Sequence, residues 1–411
     1  LPKAYKNSEE KFRREIVKGL KARGKYNKKY MARCKKEYKV IKHLGFIDYF
    51  LIVQDYVKWA KEQKIMMGPG RGSVCNCLIA YALGITNIDS IYFDLDFDRF
   101  MRMDKKKVPD VDLDFETERR GEVIDYIVKR YPGHAAQVVS YGLYKVDNLL
   151  NDLFKVCGVD DNSDKLELKA YVKNYIEEES FMYNEIKDTS AFRRYNKRFD
   201  NILEHFDKMY KKIRFYGTHA AGVAITGNDI LDYTALEKRG NKIVTAYDLG
   251  NLELIKVVKF DLLGLRTMSS IKELRKLTGE EFDYSWCKDK KIMSEFGKGN
   301  TDGIFQFESA GSQDILREIS ADCVADVLAG SALNRPGPLS LGMPKQYGEN
   351  KRNIELIKDS PWYQYAAETY GTIIYQEQII RVCRKVGKYT WSEVDRVLKV
   401  LKGRGRAPQF L

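Results

Sequence analysis

The chain has 411 residues, with 71 Lys and Arg against 58 Asp and Glu, a formal net charge of +13, and 44% hydrophobic residues. That length holds two or three domains with cores of their own, and with only 30 Gly and 9 Pro the composition excludes a disordered chain or a small stapled scaffold. A basic balance suits a polyanionic partner, nucleic acid or an anionic membrane surface, and no apolar run approaches the ~20 residues that cross a bilayer.

The first predicted element is a helix that Ser8 caps, with Glu9 and Glu10 at its positive end, Phe12, Ile16 and Leu20 at four-residue spacing, and Gly24 at its stop. A second helix is predicted from about Ile47 to Lys64, with Phe50, Val53, Val57 and Ala60 along one side; it breaks at the loop GPGRGS, residues 68–73. A third is predicted from Val74 to Leu83, capped by Ser73 and stopped by Gly84. Strict alternation from Val108 to Phe115 predicts a strand. Helix-like and polar segments fill about 119–213, and strand patterns return at Gly222–Thr226, Lys242–Ala246 and Ile255–Leu262. This order predicts a sheet-based core split by a helical insertion of about 100 residues and followed, from about 266, by a mostly helical region.

No signal-peptide pattern stands at Leu1, so localisation is read from Cys34, Cys75, Cys77, Cys157, Cys287, Cys323 and Cys383. Their scatter and odd number suit reduced thiols in a cytoplasmic setting. Cys75 and Cys77 lie close together, but no second pair or nearby His completes a zinc site.

In PDVDLDF (109–115) the period of two sends Asp110, Asp112 and Asp114 to one face and Val111, Leu113 and Phe115 to the other. Same-face neighbours on a strand stand only ~7 Å apart, so three carboxylates in a row need a cation or open water to relieve them. Mg²⁺ does so directly, since it favours a few carboxylates together with substrate phosphates. A solvated edge strand is the alternative, against which stands the scarcity of Asp in strands. On a second predicted strand Lys259 and Asp261 share a face, the Asp placed to ligate metal and the Lys to meet phosphate; an Asp at a strand end also caps turns, so this pair stays open. GPGRGS offers backbone N–H groups, the cation of Arg71 and the positive end of the predicted third helix, which are the parts of a triphosphate cradle without the spacing of a Walker A loop. Together these are the parts for two-metal nucleotidyl transfer, and no Ser–His–Asp or Cys–His set competes.

In order, HLGFIDYFLIVQDYVKWAK (43–61), GPGRGS (68–73), AYALGIT (80–86), PDVDLDF (109–115), HAAGVAI (219–225), VKFDLLGLRT (258–267), GIFQFES (303–309), NRPGPL (334–339) and YGTIIYQEQI (370–379) resemble the C-family replicative polymerases, the family of the bacterial DNA polymerase III alpha subunit. The resemblance implies an α+β fold: a polymerase-beta-like nucleotidyltransferase palm, its mixed sheet flanked by helices, in two parts (38–143 and 216–265). A helical lead-in (1–37), a helical thumb insertion (144–215) and incomplete, mostly helical fingers (266–411) complete it. It implies a DNA-directed DNA polymerase that transfers dNMP from dNTP to a primer 3′-hydroxyl with two Mg²⁺ ions, Mn²⁺ serving as substitute. Its metal-binding triad would be Asp112, Asp114 and Asp261, with Asp110 in support. Arg71, Gly72 and Ser73 would form the nucleotide loop, with Lys259 beside the third Asp and Arg335, Tyr375 and Gln376 facing the nucleotide from the fingers. Lys399 and Lys402, in DRVLKVLKGRGR (395–406), align only loosely with the family's basic finger helix. The implied partners are primer-template DNA, dNTP and other replisome proteins, a sliding clamp among them through regions absent here, with no membrane. The implied setting is the cytoplasm of a bacterium, the gene being the cell's or a virus's.

Val74-Cys75-Asn76-Cys77 stands where the family carries a second small Gly/Ser cluster, which implies a change in how the triphosphate sits. The expectation from the given residues is that no histidinol-phosphatase-like domain precedes residue 1, and His43, His134, His205 and His219 make no His-rich metal cluster. The resemblance also implies that the chain stops inside the fingers, so a second reading is a DNA-binding scaffold completed by another polypeptide, and a third is a nucleotidyltransferase with another acceptor. His219 either orients a palm side chain or touches DNA, or is a structural histidine in a small-residue turn. The runs Lys105-Lys106-Lys107 and Lys208 to Arg214 either track duplex phosphates or are simply solvated.

Overall fold

Four-residue recurrence of apolar side chains makes helix α1 (Ser8–Ala22), which buries Phe12, Ile16 and Leu20 and carries Glu9 and Glu10 in its first turn. In the computed structural model, which describes residues 1–105, 108–177, 180–280 and 287–401, Asn7 rather than Ser8 occupies the cap position, with no side-chain cap bond. The Ser8 hydroxyl instead bonds the Tyr5 carbonyl at 2.9 Å and the Asp48 carboxylate at 2.5 Å. The chain divides into two units, Leu1–Lys272 and Glu273–Leu411.

Helix α2 (Lys28–His43) buries Tyr30, Cys34, Glu37, Val40 and Ile41, in a stretch where no element was expected. Helix α3 (Ile47–Glu62) buries the expected Phe50, Val53, Val57 and Ala60, and also Tyr49, Leu51, Ile52 and Tyr56, so it is covered nearly all round. The helix expected over Val74–Leu83 is shorter. Gly72–Asn76 forms a 3₁₀ turn, and α4 covers only Leu78–Ala82. Local side-chain bonds compete with the longer helix: the Asn76 amide donates to the Asp96 carbonyl at 2.9 Å, and the Glu37 carboxylate accepts from the backbone N–H groups of Leu78 (3.1 Å) and Ile79 (2.9 Å).

The sheet has six strands: β1 (Asp112–Phe115), β2 (Ala135–Leu143), then, beyond a two-stranded ribbon of β3 (Ile176–Glu177) and β4 (Ser180–Phe181), β5 (Ile213–Ile225), β6 (Leu236–Arg239), β7 (Lys242–Thr245) and β8 (Val258–Gly264). Their order is β1-β8-β5-β2-β7-β6. The pairs β1·β8 and β2·β7 are parallel, and β8·β5, β5·β2 and β7·β6 antiparallel. The architecture is α+β with a mixed sheet. Strand β1 is shorter than the alternation suggested, although alternate burial extends back through Val111. Strand β8 begins at Val258, because Ile255 closes helix Leu249–Leu254 and Lys256 takes a positive φ of 60°.

Strand β2 corrects the expected insertion. Ala135–Leu143 lies inside the sheet, and helix Arg120–Arg130 before it buries Val123, Ile124 and Ile127 in the main core. The inserted segment is therefore the stretch between β2 and β5, residues 144–212, and it has its own core around Leu149, Leu150, Leu168, Leu203 and Phe206. A central strand carrying Ala, Gln, Ser and Gly shows little apolar alternation.

The second unit is helical, from Lys290–Lys298 to Trp391–Leu401 among the described residues. It packs Phe307, Leu316, Ile319, Leu333 and Tyr347 together. Inside it Asp326 accepts a hydrogen bond from the Tyr347 hydroxyl at 2.9 Å and pairs with Lys351 at 2.7 Å.

Glu37 is fully buried, and burial pushes its carboxyl up while the Arg33 guanidinium at 2.6 Å pulls it down. Because the pair also caps α4, Glu37→Leu is expected to cost about 3 kcal/mol, the scale of breaking a buried charge pair from one side. Urea unfolding measures this, and a loss below about 1 kcal/mol, the worth of an exposed pair, would show that the anchor is dispensable.

Candidate active site

The parallel register of β1 with β8 sets Asp112 directly opposite Asp261. Both strands turn apolar residues to the other face: Leu113 and Phe115 on β1, Phe260 and Leu262 on β8, all buried. The Tyr49 ring from α3 stacks on Phe260 at 5.0 Å, and Tyr56 meets it edge-on at 6.3 Å. The apolar packing beneath thus fixes the carboxylates above.

Oxygens of Asp110, Asp112 and Asp261 come within 4.8 Å of one another. Asp114, on the same face, is not in that group; its carboxylate pairs with Arg71 Nη1 at 3.1 Å. Asp261 Oδ2 accepts from Lys259 Nζ at 2.9 Å, whereas Asp261 Oδ1 is buried with no hydrogen-bond partner. Burial, then the neighbouring Asp110 and Asp261, push the Asp112 carboxyl up against the opposing pull of Arg71 and Lys259. Burial works against the charge of Lys259, but its bond to Asp261 and the surrounding carboxylates outweigh it and raise its pKa. Tyr49 and Tyr56 are buried neutral phenols beneath these acids.

The glycine-rich loop lies against β1. Met67 bridges to Phe115, and the Gly68 N–H donates to the Asp114 carbonyl at 2.9 Å. Gly70 has φ +150°, and a Cβ there would sit 2.3 Å from Thr86 Oγ1, so the turn demands glycine. A Cβ on Gly72 would lie 3.9 Å from Asp112 Oδ2, which places that backbone beside the acids. Ser73 is half-buried in the 3₁₀ turn. The positive end of α4 does not serve the loop, since Glu37 already holds its first amides. Val74, Asn76 and Cys77 are buried, so their bulk packs into the core.

His219 sits in a break in the β2·β5 register, where Gln137 opposes Val223 and Val139 opposes Thr218. Its Nδ1 accepts from the N–H groups of Ala221 (3.2 Å) and Gly222 (2.7 Å), and its carbonyl accepts from Gln137 Nε2 at 3.0 Å. An accepting Nδ1 fixes the tautomer with the proton on Nε2. Burial pushes the pKa down, with Lys259 and Arg120 adding to that push and Asp261 opposing it.

Arg335, Tyr375 and Gln376 belong to the second unit. Arg335 is exposed at the start of helix Pro336–Ser340. Tyr375 caps helix Gln376–Lys385; its N–H is held by Gln378 Oε1 at 2.8 Å, and burial pushes its phenol up to about 12. Lys399 is exposed on the last helix, and Lys106, Lys107 and Lys402 lie outside the described residues. In the other basic run Lys208, Lys211, Lys212 and Arg214 are exposed, Arg214 pairing with Asp152 at 2.9 Å.

Two supporting features escaped the sequence reading. Glu37, with its partner Arg33, sits on the buried stripe Tyr30, Cys34, Glu37, Ile41; an acid at a stripe position was the available signal. Glu116, buried just past β1, takes Lys272 Nζ at 2.7 and 2.6 Å.

The model of the bacterial DNA polymerase III alpha NTPase domain matches residues 6–264, and that of the bacterial DNA polymerase III alpha subunit finger domain matches 265–407. The chain belongs to the bacterial DNA polymerase III alpha family. It is 33% identical to DNA polymerase III subunit alpha of Aquifex aeolicus, over 96% of this chain and 37% of that one. It is 33% identical to the Pseudomonas aeruginosa subunit, over 90% and 33%, and 32% to that of Staphylococcus aureus, over 92% and 36%. The chain thus spans about a third of the length of these curated relatives. No helix among the described residues is long and apolar enough to cross a membrane.

Nitrogen NMR of the imidazoles is expected to show His219 titrating below the ordinary histidine value, with Nδ1 unprotonated at neutral pH. A protonated Nδ1 there would contradict the amide-accepting geometry.

Proposed function

We propose that the chain is the nucleotidyl-transfer core of a template-directed replicative DNA polymerase, extending a primer 3′-hydroxyl from dNTP with release of pyrophosphate. The observation that carries this reading is the buried, unpartnered Asp261 Oδ1 within a cluster of three carboxylates. A buried acceptor without a donor is costly, and a cation is what such an oxygen fits. The donor set is hard oxygen only, which suits Mg²⁺ with Mn²⁺ as substitute. By match to the family motif, Asp112, Asp114 and Asp261 would hold two such ions, with Asp110 in support. When bound, the ions supply activation of the primer hydroxyl and neutralisation of the leaving pyrophosphate.

The chain's own groups do the remaining work. Arg71 and Lys259 bring positive charge to the rim of the carboxylate cluster, where a triphosphate would lie. Gly72 leaves room for close approach of phosphate to the backbone beside Asp112. His219 holds the strand break opposite β8 and so positions that end of the sheet. By match to the family motif, Arg335, Tyr375 and Gln376 would be the nucleotide-facing residues of the fingers. The palm comprises 38–143 and 216–265, the thumb 144–215, the fingers the stretch from 266, and 1–37 leads into the palm. Primer-template DNA is the polyanion that the net charge of +13 serves. The names of the relatives support this reading.

Primer extension by the 411-residue chain tests it. Asp112→Asn and Asp261→Asn are each expected to lower incorporation by roughly a hundredfold or more, the scale of losing electrostatic stabilisation of a transition state, with thermal unfolding little changed. A fully active double variant would overturn the assignment. Incorporation that ignores the template base would overturn the polymerase reading in favour of transfer to another acceptor.

A further inference from the structure

The two cations of the site are both already engaged. Arg71 Nη1 lies 3.1 Å from Asp114 Oδ1, and Lys259 Nζ lies 2.9 Å from Asp261 Oδ2. The groups suited to meet phosphate therefore neutralise carboxylates suited to meet metal. Four carboxylates (Asp110, Asp112, Asp114, Asp261) face two cations, which leaves a site that draws in a divalent ion and repels a bare triphosphate.

The Arg71 pair is not needed to hold its loop in place. The Met67–Phe115 bridge and the Gly68 N–H bond to the Asp114 carbonyl at 2.9 Å already fasten the loop to β1 through the backbone. The Arg71 side chain is 49% exposed against 12% for Asp114, so one partner sits at the surface and is free to leave while the other stays. A half-exposed pair contributes only about 1 kcal/mol or less, and charge-assisted bonds from a guanidinium to phosphate oxygens outweigh that. Asp114 shares its strand face with Asp110 and Asp112 but stays outside the 4.8 Å cluster that they form with Asp261.

We propose that Arg71 is an exchange residue: it occupies Asp114 while the site is free of nucleotide, and transfers to a triphosphate only when that triphosphate arrives with a divalent cation to take its place on the carboxylate. The pair thereby makes the site select metal-complexed dNTP over the free anion. This rests on the polymerase reading above and adds a specificity-determining residue to it.

The test is dATP affinity of the full chain by calorimetry, in EDTA and in Mg²⁺, for wild type, Asp114→Asn, Asp110→Asn, Arg71→Gln and the Arg71→Gln/Asp114→Asn double variant. In EDTA, Asp114→Asn is expected to bind dATP roughly fivefold more tightly than Asp110→Asn, the factor a half-exposed ion pair carries. Both variants remove one charge from the same strand face, but only the first releases Arg71. The advantage is expected to vanish in the double variant. Equal gains for Asp114→Asn and Asp110→Asn, or a gain that survives loss of Arg71, would overturn the exchange and leave a simple field effect.

A second readout needs neither nucleotide nor turnover. Mn²⁺ titrated alone and followed by electron paramagnetic resonance is expected to bind Arg71→Gln more tightly than wild type, since a competitor for Asp114 is gone; unchanged affinity overturns the exchange. Wild type that binds dATP with Mg²⁺ while the two Asn variants behave alike sinks only the exchange. Wild type that fails to bind dATP even with Mg²⁺ sinks the polymerase reading, and the exchange with it.

Discussion

The parallel pairing of β1 with β8 is the constraint on which the site depends, because it places Asp112 and Asp261 side by side although 148 residues separate them in the chain. Like charges directly across a strand pair are unfavourable, so the pairing must be held from elsewhere. The holding force is on the opposite face. Phe115, Phe260 and Leu262 are buried there, with the Tyr49 and Tyr56 rings of α3 packed on Phe260. Burial of such rings contributes on the order of 2 kcal/mol each, enough to hold acids together that would otherwise spread apart. The hydrophobic face is in this sense what gives the carboxylate cluster its geometry.

A second set of contacts fixes the loop beside those acids. Arg33 reaches the carbonyls of Asn76 (3.1 Å) and Leu95 (2.9 Å) while pairing with Glu37, and Glu37 in turn gathers the amides that open α4. Helix α2 is thus wired into the backbone that follows GPGRGS. Val74, Asn76 and Cys77 turn their bulk into the same core, while Arg71 and Gly72 stay exposed on the outer side of the loop.

Much of this was legible in the residues, and the parts that were not have identifiable causes. Phe12, Ile16 and Leu20 announced α1, and the apolar side of α3 was read correctly, because both follow a helical period with little interference. Alternation put Asp110, Asp112 and Asp114 on one face, as their burial shows. What it could not supply was their partners: whether a carboxylate meets Arg71, Lys259 or another acid is decided by strands and loops distant in the chain. Helix α2 was hidden by its Lys and Arg residues, which mask a stripe of only five buried positions. Strand β2 was hidden by Ala135, Ala136, Gln137, Ser140 and Gly142, which carry little β-propensity and are held in place by neighbours on both sides. A helix was expected to start at Val74, but a positive φ of 63° at Gly72 and the bond from the buried Asn76 amide to the Asp96 carbonyl make a tighter turn over Gly72–Asn76.

The insertion between β2 and β5 carries a consequence for how the chain reaches this fold. Its ends are clipped together where Tyr144 and Lys212 share a hydrogen bond of 2.9 Å, and between them Leu149, Leu150, Leu203 and Phe206 form a core independent of the sheet. A floppy connection of that length would charge its closure entropy to the β2·β5 pairing. A connection with a core of its own and clipped ends turns a long excursion into a short one, so the strands that flank it meet as if nearly adjacent.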